Sequence, residues 1–199
     1  MYKKILTLNC FIVFAIFTVS TMEKDNKVTI TTPLKEIIFL DSEKYYAPDG
    51  KKYIMQIDPI LQSIKVIRKP NWLCWGHSSV SFNDLICTIL NFKKFSVTND
   101  EISVLGIGAE KEENDCVFFG RFDFSKKSGG SYQIRSKFGP IVKVEPFIAA
   151  GNVNGTNKKL IILDTIFRVA SDDEKKLYKQ RFICDAQLKL IVREEEKEV

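Results

Sequence analysis

The spacing of apolar positions changes character along the chain. From Val80 onward, Val80, Phe82, Leu85, Ile86, Ile89 and Leu90 fall close to one helical stripe, which predicts a buried helix running to Phe92. Just upstream, Pro70 biases Lys69 away from helical geometry, so an extended segment turns into that helix around Trp72-Leu73-Cys74-Trp75. Thr98-Asn99-Asp100-Glu101 has capping-box spacing and predicts a second, short helix from Asn99 to about Leu105, ending near Gly106 and Gly108. Other stretches read as β. Val28–Thr32 and Glu36–Leu40 are short runs, Ala47-Pro48-Asp49-Gly50 is a turn, and Ile60–Ile67 settles on neither period. Val117–Phe124 is an aromatic strand, followed by a loop at Ser125–Ser131 and a helical turn over Tyr132–Lys137 that Gly139-Pro140 stops. The clearest β signal is Ile141–Val144, Phe147–Ala150 and the fully apolar Leu160–Leu163, with Asn154-Gly155 as a hairpin cue between runs. Ser171-Asp172-Asp173-Glu174 opens another helix, with Arg181–Cys184 and Leu188–Val192 as strand candidates. Helices first and a sheet after predict one α+β domain.

The N-terminus stands apart. Met1–Lys4 is basic, Ile5–Val19 largely apolar, and Thr18-Val19-Ser20 places small residues ahead of the first charges at Glu23-Lys24. This reads as a secretory signal peptide over residues 1–21 with a single domain over 22–199, the alternative being an uncleaved membrane anchor. The expected location is secreted or periplasmic, with no membrane association after cleavage. The 199 residues are 45% hydrophobic and 28% charged, enough for one domain with a core. The formal charge of +5 is spread over isolated lysine pairs such as Lys51-Lys52, Lys126-Lys127 and Lys158-Lys159, and offset by acidic runs. Nucleic-acid binding would need basic residues concentrated on one element, so these charges read as solubility. Cys74, Cys87, Cys116 and Cys184 remain after processing, an even count that allows disulfides in an exported chain. With one histidine and no CxxC pair, the sequence predicts neither a metal site nor a cofactor.

Candidate chemistry centres on Cys74. A thiol at a helix N-terminus is stabilised as thiolate by unpaired N–H groups and the helix dipole. Asn71-Trp72-Leu73-Cys74-Trp75 ahead of a buried helix resembles the nucleophile region of papain-like cysteine peptidases, most closely a bacterial branch in which a Cys-Trp pair opens the central helix. The order of later segments resembles that branch too: a Thr-capped helix at Thr98–Ile102, Gly139-Pro140 with an apolar strand, and a hairpin whose second strand ends in Asp164. The likeness covers about Ile60 to Val169. It implies a papain-like α+β fold with a central N-terminal helix packed on an antiparallel sheet. It also implies that Cys74 is the nucleophile and Asp164 the acid that orients the base. The position at which the family carries its histidine falls near Glu145, which is not a histidine, and no glutamine sits where the family's oxyanion donor would.

His77, three residues after Cys74, is the other base candidate, although on a helix it would approach from the nucleophile's own element. Its plainer reading is a structural histidine. Glu145 as base would raise the thiol's pKa instead of lowering it. Cys74 itself reads equally as reactive or as buried or disulfide-bonded, and Trp72 and Trp75 as core or cleft-wall aromatics. The resulting expectation is an exported, non-catalytic relative of cysteine peptidases that binds a peptide or protein. The alternatives are an active thiol peptidase or amidase with a non-standard base, and an unrelated secreted interaction domain of inhibitor or immunity type.

Overall fold

The computed structural model describes residues 26–40, 42–58, 60, 63–69, 77–83, 94–108, 116–136, 139–170, 175–194 and 197–199. Among them there are strands and no helix. The papain-like α+β expectation is therefore corrected: the fold is all-β. β1 (Val28–Ile30) and β2 (Lys35–Glu36) are short. β3 (Lys44–Tyr46), β4 (Lys52–Asp58), β5 (Ser63–Lys69) and β6 (Ser78–Phe82) form a first antiparallel sheet in that order. β7 (Lys94–Thr98), β8 (Glu101–Gly108), β9 (Cys116–Asp123) and β10 (Ser128–Arg135) form a second. In the third, β11 (Ile141–Val153), β12 (Thr156–Ala170), β13 (Lys175–Cys184) and β14 (Leu190–Arg193) lie side by side. β1 and β2 pair on the outer edge of β11, and β15 (Lys197–Glu198) pairs with β13.

Side-chain alternation explains how these sheets stack. Ile102 and Val104 of β8, with Phe118 of β9, pack against Tyr53, Met55, Ile64, Val66 and Phe82 of the first sheet. The intervening Leu105, Val117 and Phe119, with Ile134 of β10, pack against Ile141, Ile161, Leu163 and Phe182 of the third. The second sheet is thus the middle layer of three, buried on both faces. That is why β8 and β9 read as near-continuous apolar runs, and such a run cannot be told from a buried helix by period alone.

Where the described residues cover them, the predicted helices fail for identifiable reasons. Val80 and Phe82 point the same way on β6 and pack, with Val66 opposite Val80 and Ile64 opposite Phe82, on the middle sheet. The remainder of that predicted helix, residues 84–92, lies outside the described residues, as does Ser171–Glu174. Thr98–Glu101 is not a capping box. Asn99 (φ 48°) and Asp100 (φ 63°) are both left-handed, the signature of a two-residue I′ hairpin joining β7 to β8. Tyr132 and Ile134 are strand residues opposite Phe119 and Val117, so the helical turn over Tyr132–Lys137 is corrected to β10. The Asn154-Gly155 turn forms as the sequence predicts, with φ of 51° and 86°. The two short runs before it are one long strand paired with β12 from Ile141 to Val153.

The third sheet curls. The side chain of Asn26, ahead of β1, donates to the Ile191 carbonyl of β14 at 3.1 Å, so the sheet's two edges meet. Val28 and Ile30 from one edge and Ile191 and Val192 from the other pack on a shared cluster of Ala149, Val153, Leu160, Ile162 and Ile183, which lines the concave face.

Gly120 lies at a close approach between the first two layers. A Cβ there would sit 2.8 Å from Val104 Cγ2 and 3.0 Å from both Phe118 and Phe82. Gly120→Ala is expected to destabilise the fold by about 1–3 kcal/mol through overpacking, read as a lowered denaturant midpoint at unchanged slope.

Candidate functional site

The residues that the sequence nominates for chemistry separate in space. Cys74 lies outside the described residues. His77 is exposed and immediately precedes β6, on the first sheet. Glu145 and Asp164 belong to the third sheet, where they are direct cross-strand partners on β11 and β12. Their side chains share the concave face, since they continue the alternation of Phe147, Ala149, Leu160 and Ile162. The strand pairing brings the two acids together on the third sheet, whereas His77 adjoins the first.

Asp164 is 2% exposed and fully engaged. Arg181, its cross-strand partner on β13, grips it with a two-pronged fork, Nε to Oδ1 at 2.6 Å and Nη2 to Oδ2 at 2.8 Å. Lys179 Nζ adds a contact of 2.7 Å to Oδ2. Burial pushes the Asp164 carboxyl up, but the bonds from Arg181 and Lys179 outweigh it and hold the group below the usual carboxylate range. An acid committed to a bidentate guanidinium is a structural ion pair and has little acceptor capacity left to orient an imidazole. Glu145 instead pairs with the exposed Lys143 at 2.6 Å, two residues away on its own strand.

The alternation carries this polarity across the whole curled sheet. One row runs Glu145, Asp164, Arg181 and Glu194, the last donating its backbone N–H to the Arg181 carbonyl. The next runs Lys143, Ile166, Lys179 and Lys197. The concave face is therefore apolar at the end nearest the Asn154-Gly155 turn and ionic at the other. Lys179, Arg181, Glu194 and Lys197 line a recess of about 190 Å³ in the ionic part.

A second concavity lies at the turn end of the long hairpin. Thr32, Pro33 and Lys35 bulge over β11 and, with Ile148, Ala149, Ala150, Asn157, Lys158 and Lys159, line an open groove of about 520 Å³. Thr32 and the β11 backbone fix the bulge, Ala150 N–H donating to Thr32 Oγ1 at 2.8 Å and Thr31 N–H to the Ala150 carbonyl at 2.9 Å. Lys159 reaches Glu101 at the head of β8, at 3.0 and 3.1 Å, and Arg121 bonds the same carboxylate. Lys35 and Lys158 are exposed and make no ion pair among the described residues. Composition alone assigns Lys158-Lys159 to solubility. The signal that would have singled the pair out is its position just beyond the Asn-Gly turn, on a strand long enough to outrun the sheet beneath it.

Two cysteines resolve clearly. Cys184 is a free, buried thiol pushed up to about 12 by burial, with Asp185 adding to the shift. Cys116 is disulfide-bonded, and its partner lies outside the described residues. Among the described residues no group of three or more His, Cys, Asp or Glu side chains is placed to hold a metal ion. Comparison with protein-family models, curated proteins and solved structures finds no match to the chain.

Asp164→Asn is expected to cost about 2–3 kcal/mol. That is less than the roughly 3–5 kcal/mol of a fully buried pair, because Arg181 and Lys179 remain partly solvated. Glu145→Gln should cost under about 1 kcal/mol, which urea titration of the two variants would separate. A carboxyl whose folded pKa is depressed contributes stability that is present above its unfolded value of about 3.9 and fades as pH falls through the lower folded value. Wild type should therefore lose stability below about pH 4, and the Asn variant should lose measurably less over the same window.

Proposed function

We propose that the chain is an exported, non-catalytic interaction domain that binds an acidic peptide segment of a protein partner in the groove beside the Asn154-Gly155 turn. The observation that carries this reading is the pairing of an apolar floor, Pro33, Ile148 and Ala150, with the exposed Lys35 and Lys158, which have no ion-pair partner among the described residues. An extended segment alternating acidic and apolar residues matches that arrangement, apolar groups against the floor and carboxylates against the lysines. Exposed Leu34 and Ile38 flank Lys35 on the same segment and extend the apolar surface. The non-catalytic part of the reading is supported by the use of Asp164 and Glu145 in ion pairs and by their separation from His77. Export is supported by the N-terminal apolar segment and by the disulfide at Cys116, since such bonds persist in oxidising compartments.

Fluorescence anisotropy with a labelled peptide of alternating glutamate and valine tests the groove. Binding is expected to weaken steeply on raising salt to about 0.5 M and to fall about tenfold in Lys35→Glu/Lys158→Glu, with the melting temperature unchanged. Equal binding of a lysine–valine control, or an unaffected double variant, would overturn the proposal. The export reading has its own measurement, peptide mapping of the secreted protein without reductant. Cys116 is expected in a cross-linked peptide, and Cys184 is expected to alkylate only after unfolding.

A further inference from the structure

The recess at the ionic end of the curled sheet shares no lining residue with the groove. β13 and β15 pair antiparallel with Lys179 directly opposite Lys197. Two like charges facing each other across a ladder repel, and the arrangement is stabilised when an anion lies between them. Lys179 and Arg181 cannot swing away, because both are tied to the buried carboxylate of Asp164, at 2.7 Å and 2.6 Å. That anchoring leaves donors to spare. Arg181 uses Nε and Nη2 on Asp164, and Lys179 gives it one contact, so Nη1 and the remaining ammonium hydrogens are uncommitted to that carboxylate. Lys197 makes no ion pair among the described residues. Among the described residues, three cations, Lys179, Arg181 and Lys197, thus line the recess with Glu194, and Asp164 lies beneath, leaving one positive charge in excess of these two carboxylates.

We infer that this recess binds a tetrahedral oxyanion, phosphate or sulfate, either free or as a monoester. A guanidinium edge held in place and two ammonium groups on neighbouring strands supply the convergent donors that such a group requires. The recess of about 190 Å³ has room for the oxyanion with a small ester substituent. Glu194 is the group that opposes the anion, and it sets the sign of the decisive test.

Isothermal titration of the full chain with inorganic phosphate, inorganic sulfate and O-phosphoserine provides that test. Saturable binding is expected. Lys197→Met should weaken it about tenfold and Glu194→Gln should tighten it severalfold, neither substitution touching the Asp164 pair that supports the fold. Phosphoserine binding tighter than inorganic phosphate would identify a monoester as the ligand, and equal affinities a free ion. Absence of saturation with any of the three, or a Glu194→Gln variant that binds no better than wild type, would overturn the inference. Lys35→Glu/Lys158→Glu should bind these ions as wild type does, so failure of the groove and failure of this site are distinguishable.

Discussion

A sheet that is apolar on both faces cannot stand at a protein surface, and this constraint orders the molecule. β8 and β9 bury Ile102, Val104 and Phe118 on one side and Leu105, Val117 and Phe119 on the other. Each such side chain gains about 1.5–3 kcal/mol from leaving water, so removing either cover would forfeit much of a domain's net stability. Two further sheets are therefore required, one for each face. The demand also explains the backbone economy at Gly120, where Phe82 and Phe118 leave no room for a side chain. It accounts for the tight I′ turns as well, because short hairpins keep neighbouring strands in register under the covering layers.

Polar groups then fasten the layers at their rims, where charge is cheapest to hold. Asp100 and Glu101 are consecutive and serve opposite sides. Asp100, in the β7–β8 turn, accepts from Tyr53 Oη at 2.5 Å and from Lys51 Nζ at 2.9 Å, and pairs with Arg68 at 3.1 Å, Tyr53 and Arg68 on the first sheet and Lys51 just ahead of its β4. Burial, and then the Asp100 carboxylate, push the Tyr53 hydroxyl up, so this tyrosine remains a neutral donor at any ordinary pH. Glu101 faces the other way, to Arg121 of its own sheet and Lys159 of the third. Burial raises its carboxyl, yet bonds from Lys159 and Arg121 leave it below the usual carboxylate range. Two adjacent acids thus join the middle layer to both neighbours, and Lys159 is held at one edge of the groove as a consequence.

Parts of this were legible in the sequence. The Asn154-Gly155 turn, the Ala47–Gly50 turn and the apolar Leu160–Leu163 strand are local signals, and each forms where it is expected. The helices predicted over described residues failed because their evidence was ambiguous in kind. Ile102–Leu105 is apolar at every position but Ser103, as double-sided burial demands, and the same run satisfies a helical stripe. Asn99-Asp100 carried hairpin chemistry, since both residue types tolerate left-handed backbone, but Glu101 three positions after Thr98 imitated a helix cap. Of the proposed site, Asp164 and Glu145 do share a hairpin and a face. Their partners, Arg181 and Lys179, are set by the pairing of β12 with β13. No single-strand pattern contains that information.

The same pairing commits Asp164 to Arg181. Thiol catalysis needs a base and its orienting acid to converge on one point with ångström tolerance. In this structure His77 immediately precedes β6 on the first sheet, and Asp164 belongs to β12 on the third. Strand alternation has a different strength: it repeats a charge type across neighbouring strands at a fixed spacing of about 5 Å. Lys179 and Lys197 are such neighbours, with Lys143 beyond Ile166 in the same row, beside the mixed row Glu145, Asp164, Arg181 and Glu194. A surface of that kind offers several oriented contacts, which is what the binding proposed for the recess requires. The acids that resemble catalytic groups in the sequence act here by holding the cations of that surface in place.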